Sequence, residues 1–178
     1  MSQAAAAPLQ RAQHLAGGAA TAAVAGAVLV ALGAVARELA PPAVEALRSG
    51  AVTPDLAGVM NFVRAVGAFS VLTIPSFLLA GALLDLGKVL DEYGKGQFFT
   101  LRASSGVRSA AEYALWALGF KIIGSPTLFA WITQEGRGFV WRMEPFDFGL
   151  LGFAAFVAVL GRVLEAAARI KEENDEIV

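Results

Sequence analysis

The stretch "YALWALGFKIIGSPTLFAWI" holds one charge, Lys121, among apolar neighbours. A lysine at the centre of a helix in lipid costs about 2.5–3.5 kcal/mol, so it must face other protein, snorkel to the surface or serve a function. Acceptors stand at the matching depth of the preceding apolar block. Ser70, Thr73 and Ser76 recur at i, i+3 and i+6, and Pro75 lacks the N–H that would pair with the carbonyl of Val71. The expectation is an intramembrane polar cluster of Lys121, Ser70, Thr73, Ser76 and Pro75, in which the ammonium bonds those hydroxyls and the freed carbonyl. No acid is expected there, because Asp85 and Glu112 fall toward one surface and Asp147 toward the other. Two alternatives stay open. Gly124-Ser125-Pro126 ends the helix early and lets Lys121 snorkel, or the cluster is a transport or proton-relay site.

Around Lys121, one helical stripe holds Ala114, Ala117, Leu118, Gly124 and Ser125, with Trp116, Phe120 and Ile123 opposite. The lysine therefore belongs to the small-residue face, where helices approach closely.

Other chemistries lack their residues. The chain has no cysteine and a single histidine, His14. That removes disulfides, thiolate metal sites, a cysteine nucleophile and a histidine pair. Neither a nucleophile elbow nor a phosphate loop is present, and "GKGQFF" lacks the Walker spacing. No enzyme, metal or cofactor is expected. A net charge of −1 gives no basic field, so direct nucleic-acid binding is not expected either.

The elements that must position Lys121 are legible between the charges. The chain is 57% hydrophobic and only 16% charged, against about a quarter charged in soluble domains. Its apolar residues fall in blocks approximating 15–36, 65–84, 113–133 and 146–164. A hydrocarbon core of about 30 Å needs about 20 helical residues, and the fourth block reaches that length only if Arg162 snorkels. The expected fold is all-α, a single integral-membrane four-helix bundle over 1–178. Block one is mostly alanine and glycine. It competes with a signal peptide cleaved after Ala34-Val35-Ala36, but exceeds the usual h-region and reads as a retained span. Ala22 and Gly26 there have the spacing that lets backbones approach in lipid.

Arg11, Lys88, Lys95, Arg102, Arg108, Arg162, Arg169 and Lys171 fall on one side, against Arg37, Arg48, Arg64, Arg137 and Arg142 on the other. The positive-inside rule puts the richer side, and with it both termini, in the cytoplasm.

Between blocks one and two, residues 42–47 suggest a short interfacial turn of helix, and Thr53-Pro54-Asp55 reads as the start of the next helix. Between blocks two and three, Gly94 and Gly96 permit a reversal, Phe98 and Phe99 follow, and Thr100 is placed to cap a helix. That helix, with Arg102 and Arg108 beside Ser105, Val107 and Ala111, reads as amphipathic and headgroup-lying. The chain ends in an acidic helical tail over 165–178, with Glu165 and Arg169 at i, i+4. Glu172 and Glu173 crowd its C-terminal end, where the helix dipole disfavours anions and predicts fraying. Phe98, Phe99, Arg102, Arg108, Glu172 and Glu173 are the candidate partner contacts. The expected function is interaction or regulation through this loop and tail, with a small oligomeric transporter or channel around Lys121 as the alternative.

Two stretches carry a family resemblance: "GKGQFFTLRASSGVRSA", and the C-terminal "LEAAARIKEENDEIV". In these the chain resembles the bacterial family known as domain of unknown function 2975, closely over residues 84–178 and by layout before that. The resemblance implies a four-helix protein of the bacterial inner membrane, with no assigned activity or catalytic residues. It also implies a helix-turn-helix regulator as partner; the lipid bilayer, other proteins and a second copy of the chain are expected as partners from the residues themselves.

Overall fold

The computed structural model describes residues 3–49, 56–97, 100–133, 136 and 138–176. Among them there is no strand. Helix α1 spans Gln3–Ser49, α2 Leu56–Gly94, α3 Leu101–Gly119, α4 Ser125–Thr133 and α5 Pro145–Glu176. A π-helical turn, Phe120–Gly124, joins α3 to α4 into one continuous rod. Four stretches are long and apolar enough to cross a membrane: Arg11–Leu39, Gly58–Gly94, Leu101–Thr133 and Pro145–Asn174.

Burial is inverted relative to a water-soluble protein. The core is mainly alanine, including Ala27, Ala82, Ala103, Ala110, Ala111, Ala154 and Ala168, while Trp116, Phe62, Leu29 and Phe153 face outward. In lipid, large apolar side chains gain nothing by hiding, and association comes from close backbone packing. Glycine sets that closeness at two crossings. A Cβ on Gly161 of α5 would stand 2.8 Å from the Arg108 nitrogen of α3, and one on Gly87 of α2 would stand 3.5 Å from the Ala20 carbonyl of α1.

The helices pack in chain order. α1 lies on α2, α2 on α3 and α4, and α3 on α5; among the described residues α1 and α5 do not meet. The bundle is therefore open along one side. Ala23, Gly26 and Ala27 are wholly or partly covered while Ala22 is exposed, and Gly26 faces Leu83 of α2, so of the expected Ala22–Gly26 pair only Gly26 lies on the close-packing stripe of α1.

Three connections differ from expectation. Residues 42–47 continue α1, which runs unbroken to Ser49. Residues 101–111 are the first turns of α3, not a separate headgroup helix: Ala103, Ser104 and Ala111 are buried while Ser105 is exposed. Gly124-Ser125-Pro126 does not stop the third rod, because the π turn before it absorbs the bend and α4 continues to Thr133. Thr100 caps α3 as expected, its Oγ1 accepting the Ala103 N–H at 3.1 Å. The helix start read at Thr53-Pro54-Asp55 lies outside the described residues. α5 remains helical to Glu176.

Candidate functional site

Lys121 sits in the π turn, one residue past the end of α3. The Ser125 N–H bonds back to the Phe120 carbonyl across five residues. Such single π turns insert a residue and re-aim the side chains that follow, and they recur at functional sites. A Cβ on Gly124 would fall 2.7 Å from the Phe120 ring, so only glycine lets that ring lie against the turn. The turn also leaves the Ile122 carbonyl to accept the Arg142 N–H at 2.8 Å.

That bond belongs to an extended return that lies along α4. Val140 exchanges two bonds with Thr127 Oγ1, at 2.7 and 3.1 Å, and Trp131 Nε1 donates to the Gly138 carbonyl. Non-helical backbone packed against an apolar helix needs its polar groups paired in this way. The return delivers the start of α5 to Lys121.

Lys121 Nζ donates to Asp147 Oδ1 at 2.7 Å, with Glu144 Oε2 at 3.6 Å. The Asp147 side chain is fully buried. Its second oxygen accepts the Glu144 N–H at 3.0 Å, while the Asp147 N–H returns to the Glu144 carbonyl. This is one half of a capping box: the acid at the third helical position, Asp147, reaches back to the cap residue Glu144, with Pro145 at the first position. The helix N-terminus favours that carboxylate further.

The expected cluster is thereby corrected. Lys121 has an acid partner, and the hydroxyls of α2 serve their own helix. Ser70 Oγ donates to the Val66 carbonyl, and Thr73 Oγ1 to those of Phe69 and Ser70. A helical hydroxyl reaches the carbonyl three or four residues back more readily than a neighbouring helix. The Val71 carbonyl freed by Pro75 is used, but by Ser125 Oγ at 3.1 Å in a buried bond. Ser76 and Pro75 join Lys121 in lining a cavity. The small-residue face of Lys121 stands, since Ala117 and Ser125 are buried and Trp116 and Ile123 exposed. What the sequence reading missed was Asp147, and its signal was Glu144-Pro145-Phe146-Asp147, a cap that anchors an acid at a fixed point.

The cavity has a volume of about 1170 Å³ and lies between α1 and α5, over α2 and α3. One level carries Arg37, Glu38, Lys121, Arg142, Glu144 and Asp147; the rest is walled mainly by apolar residues, with Ser76 and Ser125 among them.

At the opposite end of the bundle stands a second polar layer. Ser109 Oγ donates to Asp85 Oδ2 at 2.6 Å and Lys88 pairs with Asp85 at 2.7 Å. Arg108 joins Glu112 at 2.8 Å to Glu165 at 3.4 Å, and Glu165 holds Arg169 at 2.8 Å, the expected i, i+4 pair. Arg102 stands 3.8 Å from Glu92. Arg102 and Arg108 thus have carboxylate partners within the chain, while Glu172 and Glu173 are exposed. Phe98 and Phe99 lie outside the described residues. In the connection itself, the Asp91 carboxylate bonds Lys95 and raises the ammonium's pKa above its ordinary value.

Long apolar helices with an alanine interior, outward aromatics and a paired polar layer define a multi-pass helical membrane protein. The chain belongs to the family described as Protein of unknown function (DUF2975), whose model matches residues 49–178. That span takes in α2 to α5 and only the last residue of α1. No curated protein and no solved structure matches the chain.

Proposed function

We propose that this protein is a binding component of the bacterial inner membrane, with both termini in the cytoplasm, that acts on a regulator or another membrane protein through its 95–100 loop and C-terminal tail. The observation behind this reading is the length of α5. Its 32 residues extend about 48 Å, against a hydrocarbon core of about 30 Å. Ala168 is still buried against the bundle, whereas Lys171, Glu172 and Glu173 are exposed. An acidic helix carried beyond the bilayer on a rigid transmembrane rod offers a partner a surface whose position is already fixed, which lowers the ordering cost of binding.

A second reading, a small oligomeric transporter or channel, draws on the ion pair at the charged level of the cavity. The apolar walls below that pair weigh against a path for hydrated ions, since apolar cavities exclude water.

Cross-linking in intact cells, then purification in mild detergent and identification of bound proteins, tests the first reading. A stoichiometric partner lost on deletion of residues 172–178, or on replacement of Phe98 and Phe99 by alanine, supports it. Recovery of the protein with only copies of itself sinks it and turns attention to transport assays on Lys121→Met.

A further inference from the structure

We infer that the cavity between α1 and α5 is a binding site for one phospholipid, with an acyl chain along the apolar walls and the phosphate held between Arg37 and Arg142. A volume of about 1170 Å³ is slightly above the about 300–1,000 Å³ typical of ligand sites, large enough for an acyl chain and a headgroup. Leu79 and Phe153 line it and are themselves exposed, so it opens sideways toward the surroundings of the bundle. In a bilayer those surroundings are hydrocarbon.

The dimensions match one leaflet. Below the charged layer the lining runs from Lys121 in the π turn to Ala110 on α3 and from Asp147 to Val157 on α5, while on the other side of that layer it continues along α4 to Ala130. At 1.5 Å per residue the first two runs are about 16 Å and 15 Å. Half of a hydrocarbon core of about 30 Å is about 15 Å. A chain entering beside the charged layer would reach the apolar floor at the depth where a leaflet ends.

The charges at the mouth select the headgroup. Lys121 and Asp147 satisfy each other, and Glu144 leans on Lys121. Among the described residues Arg142 has no carboxylate within ion-pair distance, and its side chain is exposed. Arg37, 86% exposed, has only Glu38 at 3.7 Å. These two guanidinium groups come from separate parts of the chain, one from α1 and one from the return before α5, and both line the same cavity. Arginine's planar fork suits phosphate, and basic pockets between transmembrane helices bind lipid headgroups. A phosphodiester between them would close the open side of the bundle. Neither the cytoplasmic loop nor the tail is involved, so this site stands apart from the proposed partner surface.

The test is titration of the full chain, purified and delipidated in mild detergent, with dioleoylphosphatidylglycerol, read by native mass spectrometry. The expected result is one lipid per chain. Arg37→Gln with Arg142→Gln should weaken it at least tenfold without moving the melting temperature measured before lipid is added. Ala114→Phe, which fills the apolar wall, should abolish it; Leu79→Trp at the open side is the second filling variant should Ala114→Phe not fold. No lipid bound by the wild type overturns the inference. So does equal binding by the double arginine variant, displacement of the lipid by inorganic phosphate alone, or occupation of the site by a second copy that lipid does not displace.

Discussion

Removing the ammonium of Lys121 isolates the ion pair at the charged level of the cavity. In Lys121→Met, Asp147 Oδ1 loses its 2.7 Å partner while the side chain stays fully buried, and Oδ2 keeps only the Glu144 N–H. Breaking a buried pair from one side costs about 3–5 kcal/mol, because the remaining charge is left uncompensated. The Lys121 side chain is 45% exposed to the cavity, so solvent or headgroups relieve part of that, and the lower end, about 3 kcal/mol, applies. Asp147→Asn should cost less, about 1.5–3 kcal/mol, since Lys121 retains Glu144 at 3.6 Å. The double variant Lys121→Met with Asp147→Asn leaves no stranded charge and should be more stable than the sum of its parts by about 2 kcal/mol. Denaturation in mixed detergent micelles, followed by tryptophan fluorescence, provides the readout: Trp141 lies in the return that delivers Asp147, and Trp131 bonds it from α4. A Lys121→Met protein within about 0.5 kcal/mol of wild type, or strictly additive singles, would refute the reasoning.

Ser125→Ala strands the Val71 carbonyl and should cost about 1–3 kcal/mol, and Pro75→Ala should rescue it by returning a backbone N–H to that carbonyl; the pair is measured by the same denaturation cycle. Gly161→Leu forces α3 and α5 apart at the 2.8 Å approach and should destabilise by about 1–3 kcal/mol, with cysteine cross-linking between the two helices reporting the separation. Thr100→Ala removes the cap of α3 and should cost about 1 kcal/mol, seen as faster hydrogen exchange over the first turn of that helix. Gly96→Ala places a side chain at φ 82° and should cost about 1 kcal/mol, measurable as a lowered melting temperature with Lys95→Ala as the neighbouring control.

Apolar blocks between charges reveal the membrane-spanning helices because hydrocarbon length and backbone satisfaction leave a chain few choices. The cap at Thr100 and the Glu165–Arg169 pair are equally local, and both are present. The partner of Lys121 was harder to see. Counting residues along uninterrupted helices puts Asp147 toward the surface opposite Asp85 and Glu112, away from Lys121. The π turn and the extended return break that count, bringing α5 back along α4 so that its first turn meets the end of α3. The free carbonyl at Val71 was legible from Pro75, but its acceptance of Ser125 depended on which side chain the π turn aimed at it. The open side between α1 and α5 left no trace in the pattern, since a helix that meets lipid and one that meets a groove carry the same apolar residues.

The order in which the chain is made gives the Lys121–Asp147 pair a role before folding is finished. Lys121 leaves the ribosome well before Asp147, so the third span reaches the translocon carrying a lysine that, alone in lipid, costs about 2.5–3.5 kcal/mol. Its neutralising acid arrives only with the first turn of the fourth. The third and fourth spans therefore partition into the bilayer most favourably as a helical hairpin, and the fourth, whose charge-free run is the shortest, gains the same relief from its predecessor. An ion pair that looks static in the finished protein thus favours joint insertion of the two spans that carry it.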